Sequence, residues 1–135
     1  MGTCVSLARL LVVLKRLLCP LQLYQTALGL EYLHCEGIVH GDLHAGNILI
    51  DGDGNACLTD FGMSLITPAT AYNYGSVHGG GATHWQAPEL MDPEEFDSNS
   101  TRPTPQSDVY SFACTALEVC HTMQRLHSRL TSLQI

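Results

Sequence analysis

The apolar positions of this chain fall into blocks whose spacing changes along its length. Between Ser6 and Cys19 leucine and valine alternate with Arg9, Lys15 and Arg16, and the run predicts a helix that Pro20 bounds or restarts. Leu21, Tyr24, Leu28 and Tyr32, with Ala27 and Leu30 beside them, recur at helical spacing and predict a second, mostly buried helix that stops near Gly37. Ile38-Val39 begins an extended stretch. Ile48-Leu49-Ile50 and Ala56-Cys57-Leu58 flank the turn-forming run Asp51-Gly52-Asp53-Gly54-Asn55 and predict a small β-hairpin. From Gly62 to His84 the composition turns to Gly, Ser, Thr, Ala and Tyr with no period, and Gly79-Gly80-Gly81 predicts a loop, a candidate regulatory segment. After an irregular stretch from Met91 to Gln106, the positions Val109, Phe112, Ala113, Ala116, Leu117 and Cys120 predict a buried helix from near Asp108. The tail from His121 is weakly amphipathic and carries no assigned motif. The pattern is mainly α with a small β-hairpin, an α+β class.

Length and composition sharpen this picture. A chain of 135 residues is one domain or a piece of one, and 45% hydrophobic with 14% charged residues describes a folded unit. All six basic residues are Arg9, Lys15, Arg16, Arg102, Arg125 and Arg129, whereas residues 17–101 hold eleven acidic ones. A phosphate bound in that stretch needs metal ions, backbone N–H groups or a partner to neutralise it. The same distribution speaks against a nucleic-acid partner, which would require a basic surface.

Cys4, Cys19, Cys35, Cys57, Cys114 and Cys120 show no spacing of a disulfide scaffold or zinc ribbon and read as reduced. The apolar run Leu10 to Leu18 is cut by Lys15 and Arg16, well short of the roughly 20 residues a membrane span needs, and no cleavage site follows it. An intracellular, cytoplasmic location is expected. Met1-Gly2-Thr3-Cys4-Val5-Ser6 matches the pattern for myristoylation at Gly2 with Cys4 open to palmitoylation, so membrane association is expected only if those two residues are lipidated.

The chemistry concentrates in three oxygen-bearing side chains. Asp42 and Asn47 share one loop, and Asp60 follows the predicted hairpin. A hairpin between Asn47 and Asp60 brings its ends together, which sets both side chains beside Asp42. Such carboxylate and carboxamide oxygens suit a hard cation such as Mg²⁺. Phosphoryl transfer requires this set: metal ions for the phosphate oxygens and a carboxylate to take or orient the nucleophile's proton.

From about Pro20 to Cys120 the sequence resembles the eukaryotic protein kinase family. HGDLHAGN, residues 40–47, is similar to the kinase catalytic loop. Asp60-Phe61-Gly62 resembles the metal-binding triplet, Ala87-Pro88-Glu89 the end of the activation segment, and Ser107-Asp108-Val109-Tyr110-Ser111-Phe112 the start of the helix that supports the catalytic loop. Each string alone is weak; in this order and spacing they are a strong signal.

The resemblance implies a partial kinase C-terminal lobe over residues 20–120, preceded by a leucine-rich helix over 1–19 and followed by an unassigned tail over 121–135. It implies ATP and Mg²⁺ as cofactors, Asp42 as catalytic carboxylate, and Asn47 and Asp60 as metal and nucleotide-side ligands. His40, His44, Phe61, Gly62, Glu89 and Asp108 would be supporting residues, Phe61 reporting active or inactive packing and Asp108 bonding to the backbone around His40. Trp85 points to the tyrosine-kinase-like branch, whose members often act on Ser or Thr of a protein substrate.

Several positions depart from the family pattern. Gly41 stands where an Arg would bind a phosphorylated activation loop, and His44 stands where Ser/Thr kinases place a phosphate-contacting Lys. His44 carries its charge only part of the time near neutral pH, so weaker phosphate stabilisation is expected. Ala82 occupies the place of a Thr, with Thr83 displaced by one. No residues before Pro20 resemble the Gly-rich loop or the strand Lys, and the Arg that would pair with Glu89 is missing. The expectation is a truncated kinase domain with little activity on its own. The alternative is a catalytically dead, pseudokinase-like module that binds a partner protein.

Blander assignments are weaker. Asp51, Asp53 and Asn55 mimic the start of an EF-hand loop, but Ala56 and Gly62 occupy its glycine and glutamate positions. His40 and His44 have a zinc-like spacing, yet Gly41 and Gly46 predict a loop there rather than a helix. Cys114, Cys120 and His121 read as helix packing, not ligands.

Overall fold

The computed structural model describes residues 7–60, 65–66, 84–96 and 102–132. Helix α1 spans Leu7–Cys35. It is followed by strand β1 (Ile38–Val39), a 3₁₀ turn (Ala45–Asn47) and strands β2 (Ile48–Ile50), β3 (Ala56–Leu58) and β4 (Leu65–Ile66). Helices α2 (Pro88–Met91) and α3 (Pro105–Ser132) complete the order.

Pro20, expected as a boundary, lies inside α1. A proline in a helix interior removes one backbone hydrogen bond, and here the good helix formers on either side carry the helix through it. The C-terminal stop is where the sequence predicts it. Gly37 adopts φ 72°, its N–H donates to the His34 carbonyl at 3.0 Å, and the Glu36 N–H donates to the Tyr32 carbonyl at 3.1 Å.

Three elements pack against α1: the hairpin strand β3, helix α3 and, more lightly, strand β1. The face it buries carries Cys19, Thr26, Leu30 and Leu33. The stripe of Leu21, Tyr24, Leu28 and Tyr32, expected to be buried, is 45% to 65% exposed. Periodicity marks an apolar stripe without naming its partner, and in α1 the narrower of two stripes faces inward. Its small side chains allow close approach: a Cβ on Gly29 would lie 3.4 Å from Leu58 Cδ1. The buried hydroxyls at this level are satisfied along their own helices, Thr26 donating to the Gln22 carbonyl and Thr115 to the Ser111 carbonyl, both at 2.8 Å.

Helix α3 differs from expectation in the same way. It begins at Pro105, and among its described side chains Ser107, Asp108 and Thr115 are buried, while Val109 and Leu117 are exposed. Thr104 and Ser107 cap its start reciprocally: the Ser107 N–H donates to Thr104 Oγ1 at 3.1 Å and the Thr104 N–H to Ser107 Oγ at 2.9 Å. Pro105 fits the first helical position, where its missing N–H costs nothing.

The hairpin is present as predicted, with Ile48 opposite Leu58, Leu49 opposite Cys57 and Ile50 opposite Ala56. Its tip is organised by Asp51, whose Oδ1 accepts the N–H groups of Asp53 at 2.9 Å and Asn55 at 2.8 Å. Those bonds hold the Asp51 carboxyl below its ordinary range, the Asn55 backbone N–H being the largest cause. The tip is docked on α1 by amides, Gln25 donating to Asn55 Oδ1 at 2.9 Å and accepting the Ala56 N–H at 3.0 Å. A second antiparallel pair, β1 with β4, joins Ile38 to Ile66 and Val39 to Leu65. β4 falls in the stretch expected to be loop; two residues are too short for a period to register.

Candidate active site

The N-terminal turn of α3 delivers Asp108 to the chain's interior, where its side chain is 1% exposed. A carboxylate is an acceptor only, and burial is tolerated when donors converge on it. Three do. Its Oδ2 accepts the His40 N–H and its Oδ1 the Gly41 N–H, both at 2.8 Å, and His34 Nε2 donates to Oδ2 at 2.8 Å. The bond between Asp108 and the backbone near His40 that the resemblance implies is therefore present, and His34 adds a third donor. Sequence reasoning missed His34. A histidine in the last turn of a helix expected to be mostly buried needs a polar partner, and that was the available signal.

Gly41 has φ 81°, a left-handed conformation that costs most residues about 1–2 kcal/mol and glycine almost nothing. Read from the sequence, Gly41 is a lost Arg; in the fold it is also a backbone position at which the glycine relieves strain.

His40 is fully buried and uses both ring nitrogens. Its Nε2 lies 3.1 Å from the Thr59 carbonyl and must carry the proton; its Nδ1 accepts the Asp42 N–H at 3.3 Å. The ring thus ties the loop at Asp42 to the residue before Asp60. Asn47, also buried, closes the same unit: its Nδ2 donates to the Asp42 carbonyl at 2.8 Å. Its own carbonyl accepts the Thr59 N–H at 2.9 Å and the Thr59 hydroxyl at 3.3 Å. With Nδ2 committed, Oδ1 of Asn47 remains as an oxygen donor. Leu43, 1% exposed, anchors the loop between them.

Asp42 is half-buried and Asp60 exposed, the latter with φ 61°, which Asp tolerates better than most non-glycine residues. Among the described residues no three His, Cys, Asp or Glu side chains form a ready metal cluster.

His44 caps the 3₁₀ turn, its Nδ1 accepting the Gly46 N–H at 3.0 Å, and its Nε2 stands 3.9 Å from Asp42 Oδ2. Its ring packs against Trp85 with centroids 5.6 Å apart at 42°. Trp85 is fastened to α3: its indole N–H donates to Glu118 at 3.1 Å, and its carbonyl accepts the Ser111 hydroxyl at 2.6 Å. Glu89, in the first turn of α2, lies near Tyr110, whose hydroxyl is pushed up by Cys114 first and by Glu89 last. Phe61 and Gly62, most of the candidate regulatory segment, and Gly2 and Cys4 lie outside the described residues. No described helix is long and apolar enough to cross a membrane.

A family model described as protein tyrosine and serine/threonine kinase matches residues 13–135. Mitogen-activated protein kinase kinase kinase 3 of Arabidopsis thaliana is 35% identical over 111 residues, 82% of this chain and 18% of that protein. A serine/threonine-protein kinase of Dictyostelium discoideum, dst4, is 36% identical over 100 residues, 74% of this chain and 20% of that protein. A mitogen-activated protein kinase kinase kinase of Pyricularia oryzae is 41% identical over 95 residues, 70% of this chain and 6% of that protein. The chain thus spans a fifth or less of the length of these relatives.

Proposed function

We propose that this chain, which belongs to the protein tyrosine and serine/threonine kinase family, carries on its 40–47 loop and Asp60 the phosphoryl-transfer centre of a Ser/Thr-directed protein kinase. The observation that carries the reading is the buried Asp108 carboxylate, which fixes the backbone at His40 and Gly41 and so the loop from which Asp42 projects. In this reading Asp42 accepts the proton of a protein hydroxyl. The hydroxyl oxygen bonds to the terminal phosphorus of ATP as the bond to ADP breaks, and ADP leaves with the electron pair.

Asn47 and Asp60 fit a hard cation. The carboxamide is oriented by the Asp42 carbonyl so that Oδ1 is the group left to coordinate, and Asp60 supplies a solvent-facing carboxylate. When bound, Mg²⁺ would neutralise phosphate charge that residues 17–101, without Lys or Arg, do not. His40, Thr59 and Asp108 act on the loop, holding Asp42 and Asp60 at fixed separation.

The described helices and hairpin are read as part of a kinase C-terminal lobe, residues 20–120. The assignment to the tyrosine-kinase-like branch rests on Trp85, while the relatives' names favour Ser or Thr as the acceptor. As these 135 residues alone, transfer is expected to be slow, because their single lysine, Lys15, sits in helix α1 and not in a strand. That placement also favours the second reading, a pseudokinase-like module that binds a partner protein without catalysis.

Calorimetry with Mg·ATP separates the two. Binding heat that is lost in Asp60→Asn is expected; no heat at millimolar nucleotide would remove the enzyme reading for this chain. Radiolabel transfer to a seryl peptide should be slow and abolished by Asp42→Asn, and fast transfer would refute the claim of weak activity.

A further inference from the structure

We propose that Cys19 and Cys120 are a redox pair that closes into a reversible disulfide, stapling α1 to α3 at the end of the helix pair far from Asp108. The proposal goes beyond the phosphoryl-transfer reading and does not depend on it. In this structure both thiols are free.

The register of the two helices brings the pair together. His34 in the last turn of α1 donates to Asp108 in the first turn of α3 at 2.8 Å, and the two helices pack against each other. From that anchor α1 runs back towards its N-terminus and α3 runs on towards its C-terminus, so positions equally far from the anchor lie at one level. Thr26, eight residues before His34, and Thr115, seven after Asp108, are both buried, as this alignment requires. Cys19 lies fifteen residues before His34, and Cys120 twelve after Asp108. At the helical rise those are paths of about 22 Å and about 18 Å, so the two cysteines differ in level by less than one turn.

Their surroundings agree. Cys19 shares the buried face of α1 with Thr26, Leu30 and Leu33, whereas Cys120 is exposed on α3. Burial first and the charge of Cys120 second push the Cys19 thiol up, and the second influence weakens with separation, so it marks a near neighbour.

One buried and one open thiol divide the chemistry. Cys120 loses its proton to water, and its thiolate attacks a small disulfide such as glutathione disulfide. The S–S bond of that molecule breaks, one glutathione thiolate leaves, and a mixed disulfide forms on Cys120. The Cys19 thiolate, formed less readily in its buried place, then attacks the Cys120 sulfur and expels the second glutathione thiolate. Two protein thiols are oxidised, and one glutathione disulfide is reduced to two thiols. The bond closes the loop from residue 19 to residue 120, which contains the 40–47 loop, the hairpin and Asp108. A cross-link over so long a loop restricts the unfolded chain more than one over a short loop.

The test oxidises the full, unsubstituted 135-residue chain, folded and dilute, with millimolar glutathione disulfide, quenches it in acid and digests the monomer with pepsin. Pepsin cuts at leucines, which separate Cys19 from Cys35 and Cys114 from Cys120. Mass spectrometry should find a peptide pair joining Cys19 to Cys120 that dithiothreitol releases, and oxidation in concentrated urea should scatter the pairing. Cys120 left as a glutathione adduct, Cys19 joined to another cysteine, or an equal yield in urea overturns the proposal. The linked chain should unfold with a urea midpoint about 1–2 M above that of the reduced chain, and Cys120→Ser treated in the same way should show no rise. An unchanged or lowered midpoint in the linked chain overturns the staple. If Cys120→Ser does not fold, Cys120→Ala serves as the same control, and the peptide map of the parent chain decides the pairing without either.

Discussion

Two aspartates of this chain do the same chemistry in opposite surroundings. Asp51 at the hairpin tip and Asp108 at the start of α3 each gather two backbone N–H groups at 2.8 to 2.9 Å. The donors to Asp51 lie two and four residues away, in solvent; those to Asp108 lie 67 and 68 residues away, in the interior. Water can replace the carboxylate at the tip. It cannot at Asp108, where removing the acceptor strands donors that the fold has already desolvated. The same bond therefore shapes a turn in one place and determines tertiary structure in the other.

The comparison is most open to failure at Asp108. Asp108→Ala strands the buried His40 N–H, the partly buried Gly41 N–H and the His34 donor, and should cost roughly 3–5 kcal/mol, enough to abolish a cooperative urea transition in so small a chain. Asp108→Asn, which retains one acceptor oxygen, should keep a transition with a lowered midpoint. If both variants unfold like the parent, burial does not distinguish the two aspartates.

A step smaller, Gly41→Ala should cost about 1–2 kcal/mol, since a Cβ at φ 81° is strained beside the Asp108 carboxylate. Gly54→Ala makes the same change at the tip, where φ is 89° and nothing lies within 4 Å of the new Cβ. Its loss should be about 1 kcal/mol at most, and amide exchange should speed up only in the hairpin loop. Equal exchange at His40 and Gly41 in both variants would blur the contrast.

Much of the site was legible because its signals are short and local. Asp42, Asn47 and Asp60 stand out as acceptors around a hairpin, and the hairpin itself follows from Asp51 to Asn55. What the sequence leaves open is partnership across long separations. Leu21, Tyr24, Leu28 and Tyr32 have the better apolar period, yet α1 buries Thr26, Leu30 and Leu33, because the helix and hairpin that it meets present small side chains and hydroxyls. The partner of His34 was illegible for the same reason: it is 74 residues away. The two-residue strand β4 carries too few positions for any pattern.

The smallest expected effect is electrostatic. Asp51 is held below its ordinary value of 3.8, so the folded chain favours the charged form more than the unfolded chain does. Its contribution is present above pH 3.8 and fades as the pH falls through the lowered folded value. Asp51→Ala should leave the urea midpoint almost unchanged near neutrality and differ even less from the parent in acid. A large neutral-pH loss would put the tip on the same footing as Asp108.

The ring of His40 has a kinematic consequence. With one nitrogen bound to the Thr59 carbonyl and the other to the Asp42 amide, a half-turn about its axis would break both bonds at once, so the ring has one orientation and no low-cost second one. A rotation of the hairpin's far end is then geared to the loop: Thr59 cannot swing without dragging the Asp42 amide after it. Any motion that repositions Asp60 is thereby reported at Asp42, a coupling of two segments that the imidazole shares with Asn47.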